Sequence, residues 1–521
     1  MELSKDNLIQ ELSESIFEPV EKPYLSKEML IVEDNNGSSD YSRNIVKFET
    51  TALGNNGLYV GYKEGYISIP MVGVLSSDVE ITAADAKSAF LFKSSNLNLL
   101  DHVTCKYGNS EVVQGNANIN SYLIYKQHVK QSQDDVNING ATTGYRKDDS
   151  ESWSFSADAG MMNNILPTFT GLPIEVKNKT LKSRISDNTE YGRDAVLSND
   201  SLLESGADTH VKYDAGLTWV YYFDCIILLK DLLFFNEMPL VRGAVLSITF
   251  QMNQATTTTE YKSKVIFDVN NVLTKNTNPM MRGRSVDLLD CVETMSLKVG
   301  SNKIGATTFA HEKGRCRLYL PAYQLAPTIE TRYLSLGQKQ IHYEDVIVQR
   351  FQDVKGSISH VITQSLAGAT QLVICPTLAR GENGTLGQIP CESVFACEPS
   401  VCSPYLIKNF NCVIGGRNLY SSPVDYKYEH FMNESNGAES FDANLTVGNT
   451  SGQISMKDYM ETYGYIVVDL SRKYSYDAKT ATSYKITGNI TSGKDLDLLC
   501  FISYSKTLTI DLNTGGIVSQ D

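Results

Sequence analysis

The chain has 521 residues, 42% of them apolar and 20% charged, enough apolar material to bury a core in each half and too much for a disordered polymer. Its 46 Lys and Arg against 60 Asp and Glu leave a net charge of −14. That balance argues against nucleic acid as the main ligand, because a duplex binder needs a concentrated basic surface to displace counterions.

In chain order, Leu8, Ile9, Leu12, Ile16 and Phe17 sit at near-helical spacing and predict a short helix in an N-terminal arm, stopped around Pro19 and Pro23. His102 to Tyr107 alternates into Gly108 and Asn109 and resumes at Glu111 to Gln114, which predicts a hairpin whose glycine supplies the positive φ of a II′ turn. Gly160 to Ala215 is rich in charge and turn residues and reads as a long surface excursion between strands. Leu217 to Leu229 is the most apolar stretch, but Asp224 interrupts it and Lys230 and Asp231 close it, short of the roughly 20 residues of a helical membrane span. In Ala244 to Met252 every second residue is apolar (Ala244, Leu246, Ile248, Phe250, Met252), so one face of a strand is buried there.

Two polar, turn-rich passages, Ala255 to Glu260 and Lys275 to Gly283, mark a boundary. The expected division is an arm over 1–45, a first unit over 46–260, a linker over 261–284 and a second unit over 285–521. Cys316, Leu318, Leu320 and Ala322 alternate with Arg315, Arg317, Tyr319 and Pro321. Leu496 to Leu512 keeps one parity and predicts two strands, bent or bulged near Ser505 and Lys506. With 29 Tyr, 18 Phe and 36 Gly against few helical signals, the vocabulary is that of strands joined by turns. The predicted class is all-β: two tandem antiparallel sandwiches with long loops, of which jelly rolls are the commonest design.

Chemistry is not visible. Cys391, Cys397, Cys402 and Cys412 are spaced too widely for zinc knuckles, with His360 and His430 far outside the group, and His311-Glu312 lacks the second His of a zincin helix. The N-terminus carries charge where a secretory apolar core would stand, so free thiols in a reducing compartment are expected. There is no GxSxG elbow, no phosphate-cradling GxxxxGK[ST] and no GxGxxG. Asp148, Asp149 and Glu151 could be imagined as glycosidase carboxylates but are read as a solvated turn. No catalytic, cofactor-binding or metal-binding residue is predicted, and the chain is not expected to be an enzyme. The alternative is a carbohydrate-binding or carbohydrate-active β-sandwich, against which the 2 Trp weigh.

Four segments, in order, resemble one family. The first is Leu228 to Gly243, containing Lys230, Asp231, Phe234, Phe235, Asn236, Pro239, Leu240, Arg242 and Gly243 and running into the strand to Met252. The second is Leu99 to Gln114, followed by Asn118 to Tyr122 and by Gly144 to Trp153. The third is Asn411 to Tyr420 with Gly415 and Gly416, then Tyr426 to Glu434 with Tyr428, Glu429 and Phe431; the fourth is Tyr465 to Arg472 with Asp469. Together they resemble the double jelly-roll major capsid proteins of the adenovirus, polinton-like virus and virophage lineage. The resemblance implies two eight-stranded jelly rolls, the first closed by Leu228 to Gly243. Asn118 to Tyr122 is read as a strand, Gly144 to Trp153 as a corner and Tyr426 to Glu434 as helix-like. It further implies a homotrimer with a pseudo-hexagonal outline, tiling the icosahedral shell of a DNA virus. Its partners would be itself, neighbouring capsomers, a penton protein and minor or cement proteins, with no sequence-specific nucleic acid binding. Its place would be the virion. Phe234, Phe235, Pro239 and Leu240 are read as core and corner packing, Arg242 and Arg472 as members of internal or inter-subunit ion pairs, and the tail Asn513 to Asp521 as a contact with neighbours.

Overall fold

The structure is a computed structural model describing residues 23–36, 41, 45–51, 53, 57–77, 89–92, 95–145, 210–213, 218–252, 255–261, 265–270, 280–283, 291–378, 407–438, 452, 454–461, 463–471, 482–491 and 496–520. The expected helix at Leu8 to Phe17, Trp153, Arg472 and the thiols of Cys391, Cys397 and Cys402 lie outside these residues. Most of the expected excursion does too; within it His210–Tyr213 is a strand paired with the start of the apolar stretch that follows.

The first half contains β1 (Tyr24–Glu33), β2 (Ile45–Glu49), β3 (Tyr66–Ser77), β4 (Leu100–Tyr107), β5 (Ser110–Val113), β6 (Thr218–Leu228), β7 (Leu246–Met252), β8 (Ala255–Tyr261), β9 (Val265–Asn270), β10 (Cys291–Val299) and β11 (Arg317–Leu325). The second contains β12 (Gln338–Val354), β13 (Ser357–Leu366), β14 (Ala369–Leu378), β15 (Ile407–Ile414), β16 (Arg417–Asn418), β17 (Ile466–Asp469), β18 (Thr482–Ile490), β19 (Leu496–Asp511) and β20 (Ile517–Gln520). Helices are α1 (Ile119–Lys130), α2 (Gln133–Thr143), α3 (Pro327–Ser335), α4 (Tyr428–Gly437) and α5 (Met456–Glu461).

In the first half β1, β11, β3 and β6 lie side by side in that order, and β2, β7, β4 and β5 form a second antiparallel sheet. In the second half the orders are β12, β19, β14, β17 and β13, β18, β15, β16. With β8 to β10 and β20 set aside, both halves send successive strands to sheet one, two, one, two, two, one, two, one. The first strand therefore pairs with the last and the second with the one before it, which is the wrapped order of a jelly roll. The extra strands widen the first sheet: β3 gives Tyr66–Ser68 to β11 and Met71–Ser77 to β10, and β8 and β9 follow outward. That sheet holds nine strands and its counterpart five, more than the four each that an eight-stranded roll needs.

The pairing also differs from the expected division at 285. β10 and β11 belong to the first sandwich, and the second sandwich's strands begin only at Gln338, beyond α3. The expected arm contains β1, and the expected linker contains β9 and the strand Met280–Gly283. Thr-rich composition misled here, because Thr is as much a strand former as a loop residue.

Local expectations fare unevenly. β7 keeps its parity, with Leu246, Ile248, Phe250 and Met252 buried. The hairpin from β4 to β5 turns through Gly108 at φ 57°. Asn118 to Tyr122, however, opens a helix and not a strand: Asn118 takes φ 60° and α1 follows. Burial on nearly every side of α1 erases the amphipathic pattern that would reveal it. β19 runs unbroken through Ser505 and Lys506, and its stretch Leu496–Tyr504 is buried on both faces, with Asp497 and Ser503 inside. One apolar core joins the halves, reaching from Phe48 and Phe250 through Phe234 and Tyr343 to Leu498 and Phe501.

Candidate functional site: the junction between the sandwiches

The first family-like segment lies where the two sandwiches meet. β6 ends at Leu228, and the chain makes two tight turns, Leu229–Asp231 and Leu233–Glu237, with Leu233 at φ 28°. This puts Phe234 and Phe235 in the interior. Phe234 meets Tyr343 of β12 edge-on at 5.0 Å, and Phe235 lies 5.6 Å from Phe234 and 6.4 Å from Tyr62. Asn236 is half-buried and donates to Glu237, while Lys230 is exposed. Asp231 accepts from Gln127 of α1 at 3.3 Å, and burial pushes its carboxyl up to about 6.

Beyond these turns Pro239 and Leu240 are buried, and the Leu240 carbonyl accepts from Tyr333 of α3 at 2.6 Å. Arg242 Nη1 pairs with Glu330 of α3 at 3.0 Å and lies over the Tyr59 ring, whose hydroxyl donates to the same carboxylate. Burial, then the bond to Glu330, pushes Tyr59 up to about 12. The ion pair of Arg242 is thus internal, made to the helix that joins the sandwiches. Gly243 takes φ 75°, and a Cβ there would lie 2.8 Å from the Thr514 carbonyl.

α1 is the second part of the junction, and its spacing alone gave no hint of that. Tyr122 donates to Glu344 of β12, and Lys126 pairs with the same carboxylate at 2.9 Å. Burial pushes Glu344 up, but Lys126 and Tyr122 outweigh it and hold it below the ordinary value. Tyr125 accepts from Gln371 of β14 at 3.2 Å and packs edge-on to Tyr465 at 5.1 Å, while Tyr122 packs on Phe501 of β19 at 5.5 Å. Just before α1, Asn116 donates to the Val346 carbonyl at 2.7 Å.

The C-terminal hairpin is the third part. The Gly515 carbonyl accepts from Tyr107 of β4 at 2.7 Å, and Gln520 donates to the Glu111 carbonyl at 3.0 Å. Gly515 takes φ 68°, and a Cβ would stand 2.0 Å from the Arg242 carbonyl, so only glycine allows that approach. The tail read as a contact with neighbours is, from Asn513 to Gln520, a clasp within the chain. It pairs with Leu508–Ile510 and grips the first sandwich.

The remaining motif residues lie within the second sandwich. Gly415 and Gly416, at φ 53° and 81°, make the two-residue turn from β15 to β16. Tyr428 opens α4 with its hydroxyl on the Ile454 carbonyl, Glu429 sits exposed in the first turn, and Phe431 is buried against Tyr459 at 5.0 Å. Asp469 caps the end of β17 by accepting from Ser471 N and Oγ, while its own N–H donates to buried Glu434. Sequence reasoning did not find Glu344, Lys126, Gln127, Glu330 or Tyr107, whose partners lie far away in the chain.

Burial pushes the thiols of Cys105, Cys225, Cys316, Cys375 and Cys500 up, away from the reactive thiolate. Among the described residues no group of His, Cys, Asp and Glu could hold a metal ion, and no helix is long and apolar enough to cross a membrane.

No protein-family model and no curated protein matches the chain. Solved structures do. A chain in the 3.5 Å cryo-EM structure of the Sputnik virophage is similar with a TM-score of 0.53 at 12% identity, over 97% of this chain and 89% of that one. The mavirus major capsid protein follows at TM-score 0.47 and 10% identity, over 97% of this chain and 94% of its own. The Faustovirus major capsid protein is similar at TM-score 0.43 and 10% identity, over 96% and 98%. At such identity the first likeness is one of fold, and it agrees with the sheet order: the chain is an antiparallel double jelly roll, an architecture present in a virophage particle.

Proposed function

We propose that the chain is a viral major capsid protein whose homotrimers form pseudo-hexagonal capsomers of an icosahedral shell around a DNA genome. The observation that carries this is the repetition of one wrapped strand order in both halves, with the halves welded into a single body. Two similar lobes per chain, taken three times, give six lobes, the outline a hexagonal lattice position needs. The likeness of fold to a chain of the Sputnik virophage particle points the same way. So do the exposed apolar side chains of the edge strand β1, where Leu25, Met29 and Ile31, with Lys27 among them, are 63%, 51% and 55% exposed. Surfaces of that kind mark association sites.

In this reading the division between the jelly rolls falls in the α3 segment, Ala326–Gly337. The motif residues from Lys230 to Gly243, with Gly415, Gly416, Tyr428, Glu429, Phe431 and Asp469, serve to weld and brace the body. The protein works in the virion as a structural subunit and not an enzyme, beside copies of itself, a penton protein and minor or cement proteins. The test is mass in solution by light scattering. A stable trimer indifferent to glycans is the expected result; a monomer that binds or cleaves a glycan would overturn the reading.

A further inference from the structure

The shared strand order makes places in the two sandwiches comparable. β1 and β12 are equivalent: each opens its sandwich, lies at a sheet edge and pairs with the last strand, β11 or β19. The helices correspond as well. α1 and α2 stand between the fifth and sixth strands of the first wrapped set, β5 and β6, and α4 and α5 between the fifth and sixth of the second, β16 and β17.

Within the chain, one of the two edges is covered by the other sandwich. Asn116, just before α1, bonds to the β12 backbone at both ends of its amide: Nδ2 donates to the Val346 carbonyl at 2.7 Å, and Oδ1 accepts from the Val348 N–H at 3.4 Å. Tyr122 and Lys126 of α1 hold Glu344 of the same strand. The helical side of the first sandwich thus docks on the edge of the second, and α1 is buried on nearly every side.

The equivalent pair of surfaces is open. Among the described residues β1 pairs with β11 alone, and its Met29 and Ile31 stand on the sheet's outer face with more than half their surface exposed. On α5, Met456 and Met460 lie one turn apart and are 59% and 45% exposed. α4 likewise exposes Glu429, Asn433 and Asn436, where α1 is enclosed. One sandwich therefore has an edge without helices on it, and the other has helices without an edge under them.

We propose that β1 of one copy receives the α4–α5 side of the next, repeating between chains the contact that α1 makes on β12 within one. This rests on the threefold reading above and adds which surfaces meet. The occupant is a second copy because every copy already carries the docking element, a helical insertion between the fifth and sixth strands, on its second sandwich. The contact continues the junction from chain to chain. It joins unlike surfaces head to tail, and three such contacts related by a threefold rotation close a ring with no β1 edge left over.

The test uses the full chain with p-benzoylphenylalanine in place of Met29, irradiated at a concentration where light scattering gives a trimer. The expected product is two chains joined, with the captured peptide within residues 428–461. A trimer in which no two-chain product forms, or in which the captured peptide lies in residues 1–22 or in the first sandwich, would overturn the proposal and leave the capsid reading standing; a monomeric wild type would overturn both. Separately, Met29→Asp and Met460→Asp should each raise the apparent dissociation constant of the trimer by about tenfold or more, because each sets a charge in an apolar contact. The melting temperature of the dissociated chain should not move, since both side chains face solvent there. Wild-type trimer mass on dilution of both variants would also overturn the proposal.

Discussion

At the scale of single residues, the closing segment works by inserting aromatic rings where no charge can follow. Phe234 is fully buried between its own turn and Tyr343 across the junction, so Phe234→Asp places an unpaired carboxylate in packed surroundings. The expected loss is roughly 5 kcal/mol, read as disappearance of soluble, folded protein. Wild-type-like yield and melting would show that Phe234 is not interior. Lys126→Met tests the charged contact. It strands Glu344, which is still partly reached by water, and should cost about 2 kcal/mol at pH 7. Because Lys126 helps hold Glu344 below its ordinary value of 4.5, that cost should shrink as the solution is acidified below about pH 4. A loss constant with pH would mean that Lys126 acts through packing of its stem alone. Phe234 and Arg242 stood out in the sequence through the segment that carries them. Glu344 did not, because Tyr122 and Glu344 are 222 positions apart and nothing local marks their meeting.

At the scale of elements, the outcome turned on how many faces were covered. β7 showed its parity because one face is buried and the other is not. β19 showed one too, yet over Leu496–Tyr504 both its faces are covered and it runs on without the expected bend; its polar residues there are inside, where Arg350 holds Asp497 through Nε at 3.1 Å and Thr370 meets Ser503 at 3.0 Å. α1 was missed because it is wrapped by both sandwiches. The C-terminal hairpin makes the clearest prediction at this level. Tyr107→Phe leaves the ring in place but removes the bond to the buried Gly515 carbonyl, at an expected cost of about 1–2 kcal/mol. Hydrogen exchange should then speed up first in Leu512–Gln520 and in the facing end of β4. Unchanged exchange there would show that the clasp does not depend on this contact.

At the scale of the whole molecule, the architecture was legible before its seams were. Two β sandwiches, their tandem order and their likeness to double jelly rolls could be read from alternation and from four ordered segments. The seam could not, since a Thr-rich excursion between β7 and β11 has the composition of a linker and the pairing of a sheet. The continuous core through Phe234, Tyr343 and Phe501, with α1 and the hairpin bridging it, packs the two rolls into one body. One body with two lobes of the same wrapped strand order is what threefold assembly into a six-lobed block requires. The most direct measurement is a single-particle image of the purified oligomer. The account predicts a threefold particle with six lobes in outline, two from each chain; a monomer, or an oligomer of any other symmetry, would contradict it.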